Sequence, residues 1–260
     1  MARPPINWYV DGGGPAIVLV NGWTASGLVW PRALVERLAR DHTVLRLDNR
    51  GSGWSRTAPH PFTVRDLADD VAGVLRTERI RSATVVGFSM GGLIAQELAI
   101  SHPALVRSLV LVATRPPVPF HATHDLTGFE SALGPAGVRP SVQHLRDLWG
   151  SFCAPGFAEN HPHVIDEIVE ALVRRPTPRR SVLAQMRAVA AWGKGGRLAR
   201  VDAPTHVLHG AVDTLMPVAN AERLGDLIPH ASVTVLPDVG HLVPHEATTR
   251  FADLVEGAAA

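Results

Sequence analysis

SATVVGFSMGGLIAQELAISH, residues 82–102, is the stretch that decides how the rest of the chain folds. Ala83, Thr84, Val85 and Val86 form a short apolar, β-branched run, the pattern of a strand buried on both faces. Residues 93–100 are apolar apart from Gln96 and Glu97, which predicts a mostly buried helix. Between the two lies Gly87-Phe88-Ser89-Met90-Gly91, a G-x-S-x-G turn. A turn from strand to helix in so few residues forces its central residue into a strained conformation, and the flanking glycines let strand and helix pass closely. The Ser89 hydroxyl is pushed clear of the backbone, facing the free N–H groups of the new helix. A glycine-rich turn whose serine merely caps a helix is the alternative. The strand before and the helix after favour a nucleophile.

Working outward, the chain alternates strands and helices. Residues 6–10 read as a short edge strand ended by Asp11-Gly12-Gly13-Gly14-Pro15, and residues 16–20 as a buried strand. A helix carrying Leu34, Val35, Leu38 and Ala39 precedes a strand at 43–47; a helix at 64–76 leads into the strand before Ser89. Residues 106–113 form the strand after the elbow helix. Further strands are expected at 205–209 and 232–236, with helices at 218–228 and 248–256. This rhythm predicts an α/β fold, a mostly parallel central sheet with helices on both faces. It breaks at Pro116. From there to about Pro178 only Pro- and Gly-punctuated helical patches appear, such as 142–149 and 164–173, and 186–192 reads as the returning helix. The expected organisation is a core of residues 1–115 and 186–260, with an inserted helical cap at 116–185.

Acyl transfer by serine needs a base to take its proton and an acid to hold that base, both at the carboxyl ends of strands. Asp213 follows the strand at 205–209, in His209-Gly-Ala-Val-Asp213, and His241 follows the last strand after Gly240. The order Ser, Asp, His is the one expected of this type of elbow. Asp213 also suits a plain turn aspartate, and Asp48, which ends another strand, competes for the acid role from a loop-like D-N-R-G-S-G setting. An oxyanion hole requires two backbone donors. Met90, directly after the nucleophile, supplies one; the loop after residues 16–20 supplies the other, through the N–H of Trp23.

The segments VLVNGWTAS, LDNRGSGWS, VVGFSMGGLIAQELAISHP, SLVLVAT, HGAVDTLMP and GHLVPHE together resemble the α/β-hydrolase fold superfamily over nearly all of the chain except the cap. The likeness is greatest to its branch of serine esterases, perhydrolases and 3-oxoadipate enol-lactone hydrolase-like proteins. The resemblance implies a triad of Ser89, Asp213 and His241, with Trp23 and Met90 as oxyanion donors and no cofactor. One departure is plain: the family usually has His-Gly where this chain has Asn21-Gly22.

Other classes fit poorly. Lys and Arg number 25 against 24 Asp and Glu, a net charge of +1, so there is no basic stripe for nucleic acid. Cys153 is the only cysteine, which excludes an intrachain disulfide. No apolar run reaches membrane-spanning length, so a cytoplasmic protein acting on a small molecule is expected, with no membrane partner. Gly51-Ser-Gly53 lacks the third glycine of a dinucleotide loop. His245-Glu246 lacks the second histidine of H-E-x-x-H, since Thr249 stands there, and His121, His124, His161 and His163 have no carboxylate framework; no metal is expected. Serine at the elbow argues against epoxide hydrolases and haloalkane dehalogenases, whose nucleophile is a carboxylate. Phe129, Trp149, Phe152, Phe157, Met186 and Trp192 are candidates for an apolar pocket, Trp149 first among them. The expected activity is hydrolysis of a small or medium, largely apolar carboxylic ester or lactone. C–C bond hydrolysis, perhydrolysis, a biosynthetic cyclisation, or small-molecule binding without turnover are the alternatives.

Overall fold

The computed structural model describes residues 6–55, 61–117, 140–193 and 197–260. His121, His124, Phe129 and the opening part of the expected cap lie outside the described residues. Seven strands form one sheet: β1 (Trp8–Gly12), β2 (Ala16–Val20), β3 (Thr43–Leu47), β4 (Ala83–Phe88), β5 (Val106–Val112), β6 (Thr205–Gly210) and β7 (Ser232–Leu236). Their spatial order is β1-β3-β2-β4-β5-β6-β7. β1 runs antiparallel to β3, and every other pair is parallel.

The strand beginning β1 sits two residues later than expected. Its pairing with β3, Trp8 opposite Leu47 through to Gly12 opposite Thr43, sets the boundaries, and Ile6 is buried outside the ladder. β2 and β4, at the centre, are buried along their whole length. Their side chains feed two cores, one per face, as the two-residue period of a strand requires. Val18 and Val20 meet Leu67 and Leu75 of α2 (Val64–Thr77) and Leu93 and Leu98 of α3 (Met90–Ser101) on one face. Ile17 and Leu19 belong to the other core, with Leu34 and Leu38 of α1 (Arg32–Leu38) and Phe251 and Val255 of the last helix (Thr248–Ala259). α2 begins in a capping box: Thr63 Oγ1 accepts from the Asp66 N–H, and Asp66 Oδ2 accepts from the Thr63 N–H at 2.8 Å.

Between β5 and β6 the described residues contain helices only. They are α4 (Val142–Gly150), a single turn at Phe157–Asn160, α5 (Pro162–Arg174), α6 (Arg179–Ala191) and a 3-10 turn at Arg197–Arg200. Trp149 of α4 and Ile165, Ile168 and Val169 of α5 join the core that holds α1. α6 starts seven residues before the expected helix at 186: Arg179 and Arg180 open it, and its first apolar residues, Val182 and Leu183, already lie within it. α7 (Ala219–Leu227) packs Leu224 on the α2–α3 face, and α8 is the closing helix Thr248–Ala259.

Candidate active site

Ser89 stands between β4 and α3 with φ 54° and ψ −118°, a conformation closed to most side chains. It occupies the N-cap position of α3, yet its side chain accepts no N–H from that helix. The capping alternative therefore does not describe Ser89. The elbow is fixed from behind: the Ser89 N–H donates to the Val112 carbonyl at 2.9 Å, and Thr114 Oγ1 donates to the Ser89 carbonyl at 2.7 Å. A Cβ on Gly91 would run into the Val20 and Asn21 carbonyls, and one on Gly87 would meet Gly91 and Ala95. Close approach of strand and helix is what those glycines serve.

His241, in the loop after β7, lies against this serine. Its Nε2 is 3.1 Å from Ser89 Oγ and its Nδ1 is 2.8 Å from Asp213 Oδ2. An ionised carboxylate only accepts, so Nδ1 carries the proton and the Nε2 lone pair faces the serine hydroxyl. All three residues are buried. Asp213 Oδ1 accepts from the N–H groups of Leu215 and Met216, both at 2.8 Å. Its Oδ2 also lies 3.3 Å from Nε2 of His209, a fully buried residue whose same nitrogen is 2.9 Å from the Met216 carbonyl. Burial alone would raise the Asp213 pKa. The neighbouring His241, with hydrogen bonds from His209 and His241, outweighs burial and holds this carboxyl well below the usual range.

Trp23 and Ala25, from the loop after β2, line the cleft over Ser89 with Phe88, Trp149, Phe152 and Leu215. Met90 opens α3, so its N–H has no carbonyl one turn earlier to bond. Asn21, where the family usually has histidine, is buried: its Nδ2 donates to the Ser26 carbonyl and its own carbonyl accepts from Asn49 Nδ2 at 2.9 Å. The amide thus ties the ends of the loop together. Asp48, the rival acid, is spent elsewhere. Its carboxylate accepts from the N–H groups of Gly27 and Trp54 and from Asn7 Nδ2 and Tyr9 Oη.

The expected pocket aromatics divide. The Trp149 and Phe152 rings meet edge to face with centroids 6.0 Å apart, and Phe152 lies 6.3 Å from the His241 ring. Phe157 instead packs on His161, and Trp192 donates its Nε1 to Glu97 Oε2 at 3.0 Å, so neither faces the cleft. Among the described residues no group of side chains has the makings of a metal site, and no helix is long and apolar enough to cross a membrane. The sequence reading missed Thr114, His209, Gln185 and Glu246. Thr114, Gln185 and Glu246 act through hydrogen bonds to residues distant in sequence, and His209 through a bond across its own loop to the Met216 carbonyl.

The family profile described as alpha/beta hydrolase fold matches residues 15–248. A pimeloyl-acyl-carrier-protein methyl ester esterase of Vibrio atlanticus is 30% identical over 241 residues, covering 90% of this chain and 90% of its own. RutD of Variovorax paradoxus, a carbamate hydrolase by provisional name, is 30% identical over 240 residues, covering 91% of this chain and 89% of its own. The crystal structure of an enol-lactonase from Burkholderia xenovorans LB400 superposes with a TM-score of 0.84 at 24% identity, over 97% of this chain and 95% of that one, a likeness of fold. The chain is a member of the alpha/beta hydrolase fold family, and its relatives mark it as a hydrolase.

Proposed function

We propose that the protein is a cofactor-independent serine hydrolase that cleaves a small or medium, largely apolar carboxylic ester or lactone through an acyl-enzyme. The observation that carries this reading is the contact of His241 Nε2 with Ser89 Oγ at 3.1 Å while Nδ1 is held by Asp213 at 2.8 Å. Ser89 Oγ attacks the ester carbonyl as its proton passes to His241 Nε2. The Asp213 carboxylate stabilises the imidazolium. The tetrahedral oxyanion accepts from the N–H groups of Met90 and Trp23. Collapse breaks the acyl C–O bond, and the departing alkoxide takes the proton from Nε2. Water then attacks the acyl-enzyme, giving a proton to the same nitrogen; collapse breaks the bond from the acyl carbon to Ser89 Oγ, which takes that proton back as the carboxylic acid leaves.

Leu148, Trp149, Phe152, Leu215 and Leu242 give the cleft apolar walls, which suits an aliphatic or aromatic acyl group. The ester preference also draws on the Vibrio relative, a methyl ester esterase by name. Carbamate hydrolysis by the same three residues is the second reading, favoured by the Variovorax relative. A small-molecule substrate and a cytoplasmic setting go with the proposal. Its test is a panel of p-nitrophenyl esters of increasing acyl length beside lactones, an aryl carbamate and a vinylogous diketone, with a Ser89→Ala control. Turnover of short and medium esters or lactones, lost in Ser89→Ala, is the expected result. Turnover confined to the carbamate or the diketone would overturn the ester reading.

A further inference from the structure

Gln185 lies in α6, outside every motif that marks the site, yet it is completely buried. Its amide is used at both ends. Oε1 accepts from the Thr24 N–H at 3.0 Å, and Nε2 donates to the Arg50 carbonyl and to Ser52 Oγ, both at 3.0 Å. One side chain therefore joins the loop after β2 to the loop after β3.

Thr24 is the residue next to Trp23, and its φ is 61°, in the left-handed region. A threonine there costs about 1–2 kcal/mol and persists only where its surroundings over-determine it. Both of its peptide groups are accounted for. The N–H goes to Gln185, and the carbonyl accepts from Thr177 Oγ1 at 2.8 Å. The Trp23 indole Nε1 adds a bond to the Val182 carbonyl at 3.2 Å. Three bonds from residues 177–185 thus hold the two consecutive residues that shape this wall of the cleft. Released from them, Thr24 would relax to negative φ; the 23–24 peptide would turn, and the Trp23 backbone it is joined to, with the Trp23 N–H in the preceding peptide, would shift with it. An oxyanion donor contributes only when aimed before charge develops.

We propose that Gln185 is a positioning residue of the oxyanion hole: by taking up the Thr24 N–H it locks the left-handed turn that aims the Trp23 N–H at the carbonyl oxygen over Ser89. The inference rests on the serine-hydrolase reading. It makes α6 part of the catalytic scaffold as well as the return to the sheet.

The test compares wild type, Gln185→Met and Thr177→Val on a p-nitrophenyl ester, with inhibition by an alkyl trifluoromethyl ketone, which forms a tetrahedral oxyanion on the serine. Gln185→Met should lower kcat roughly tenfold to a hundredfold, less than outright loss of a donor, with KM within twofold. The ketone inhibition constant should rise in step with the fall in kcat/KM. Thr177→Val, which removes the other restraint on Thr24, should show the same pattern at smaller size and decides the matter if Gln185→Met does not fold. Folded variants with wild-type kcat and unchanged ketone inhibition overturn the inference, as does a loss of kcat that leaves ketone inhibition untouched. If wild type shows no turnover dependent on Ser89, the underlying hydrolase reading fails instead, and the two failures are told apart.

Discussion

The backbone N–H of His241 donates to the carbonyl of Phe152 at 2.8 Å, so the proposed general base is bonded to the segment that follows α4. Glu246 reinforces that seam. Its Oε2 accepts from the N–H groups of Ala154 at 2.7 Å and Gly240 at 2.9 Å, and its Oε1 from Leu242 at 2.9 Å. One carboxylate thus holds both neighbours of His241 and residue 154. Burial raises the Glu246 pKa, and the three N–H groups and His241 only partly offset it.

Glu246→Ala leaves three N–H groups without their acceptor. A buried unsatisfied donor costs about 1–3 kcal/mol, and partial solvation brings the expected total to roughly 2–4 kcal/mol. Activity should fall at least tenfold as the imidazole loses its register with Ser89. Urea unfolding and ester kinetics on the same preparation check both. An unchanged unfolding midpoint with full activity would show the seam to be idle.

Asp213→Asn keeps the shape of the carboxylate, and its amide oxygen can still accept from Leu215 and Met216. Its NH2 would face His241 Nδ1 and drive the proton to Nε2, leaving nothing to receive the serine proton. The same change in a well-known serine triad lowers kcat about 10⁴-fold. A comparable loss with an unchanged thermal midpoint is expected here. A variant within tenfold of wild type would remove Asp213 from the mechanism.

Gly91→Ala tests the elbow without touching a polar group. The added Cβ would push against the Val20 carbonyl, which is part of a central strand. Overpacking of this kind costs about 1–3 kcal/mol, and more where the obstacle is backbone. Loss of activity out of proportion to loss of folded protein is expected, since the serine moves first. Wild-type kinetics and stability would mean that strand and helix can part freely.

Stability should also depend on pH through His245. This residue is buried, its Nε2 donates to the Val29 carbonyl at 2.9 Å, and its Nδ1 has no partner among the described residues. Burial lowers its pKa from 6.5 to about 4, with the bond to Val29 opposing. Between those values the unfolded chain binds more protons than the folded one, so stability falls as pH drops from 6.5 towards 4. A depression of this size corresponds to about 3 kcal/mol in all. Urea midpoints at pH 7 and pH 5 should differ more for wild type than for His245→Gln. Equal differences would assign the acid sensitivity to other groups.

Local pattern carried much of this structure. β2, β3 and β7 fall where their apolar runs end, and the elbow is written in five consecutive residues. What it could not carry is whatever depends on distant partners. Gln185, in a run reading LAQMRAV, has the look of a polar position on an exposed helix face; only the meeting of α6 with two strand-end loops puts it inside. Glu246 stands beside a dismissed metal motif, and its three N–H donors come from residues as far apart as 154 and 242. Trp192 is aromatic and lies near the expected cap in sequence, yet it serves Glu97 of α3.

The most direct measurement is labelling of the folded protein by a fluorophosphonate, with the modified peptide identified by mass spectrometry. Rapid, stoichiometric labelling at Ser89, lost in Ser89→Ala and slowed by orders of magnitude in His241→Ala, is the predicted result. Well-folded protein that stays unlabelled, or that labels at the same rate without the imidazole of residue 241, would contradict the account.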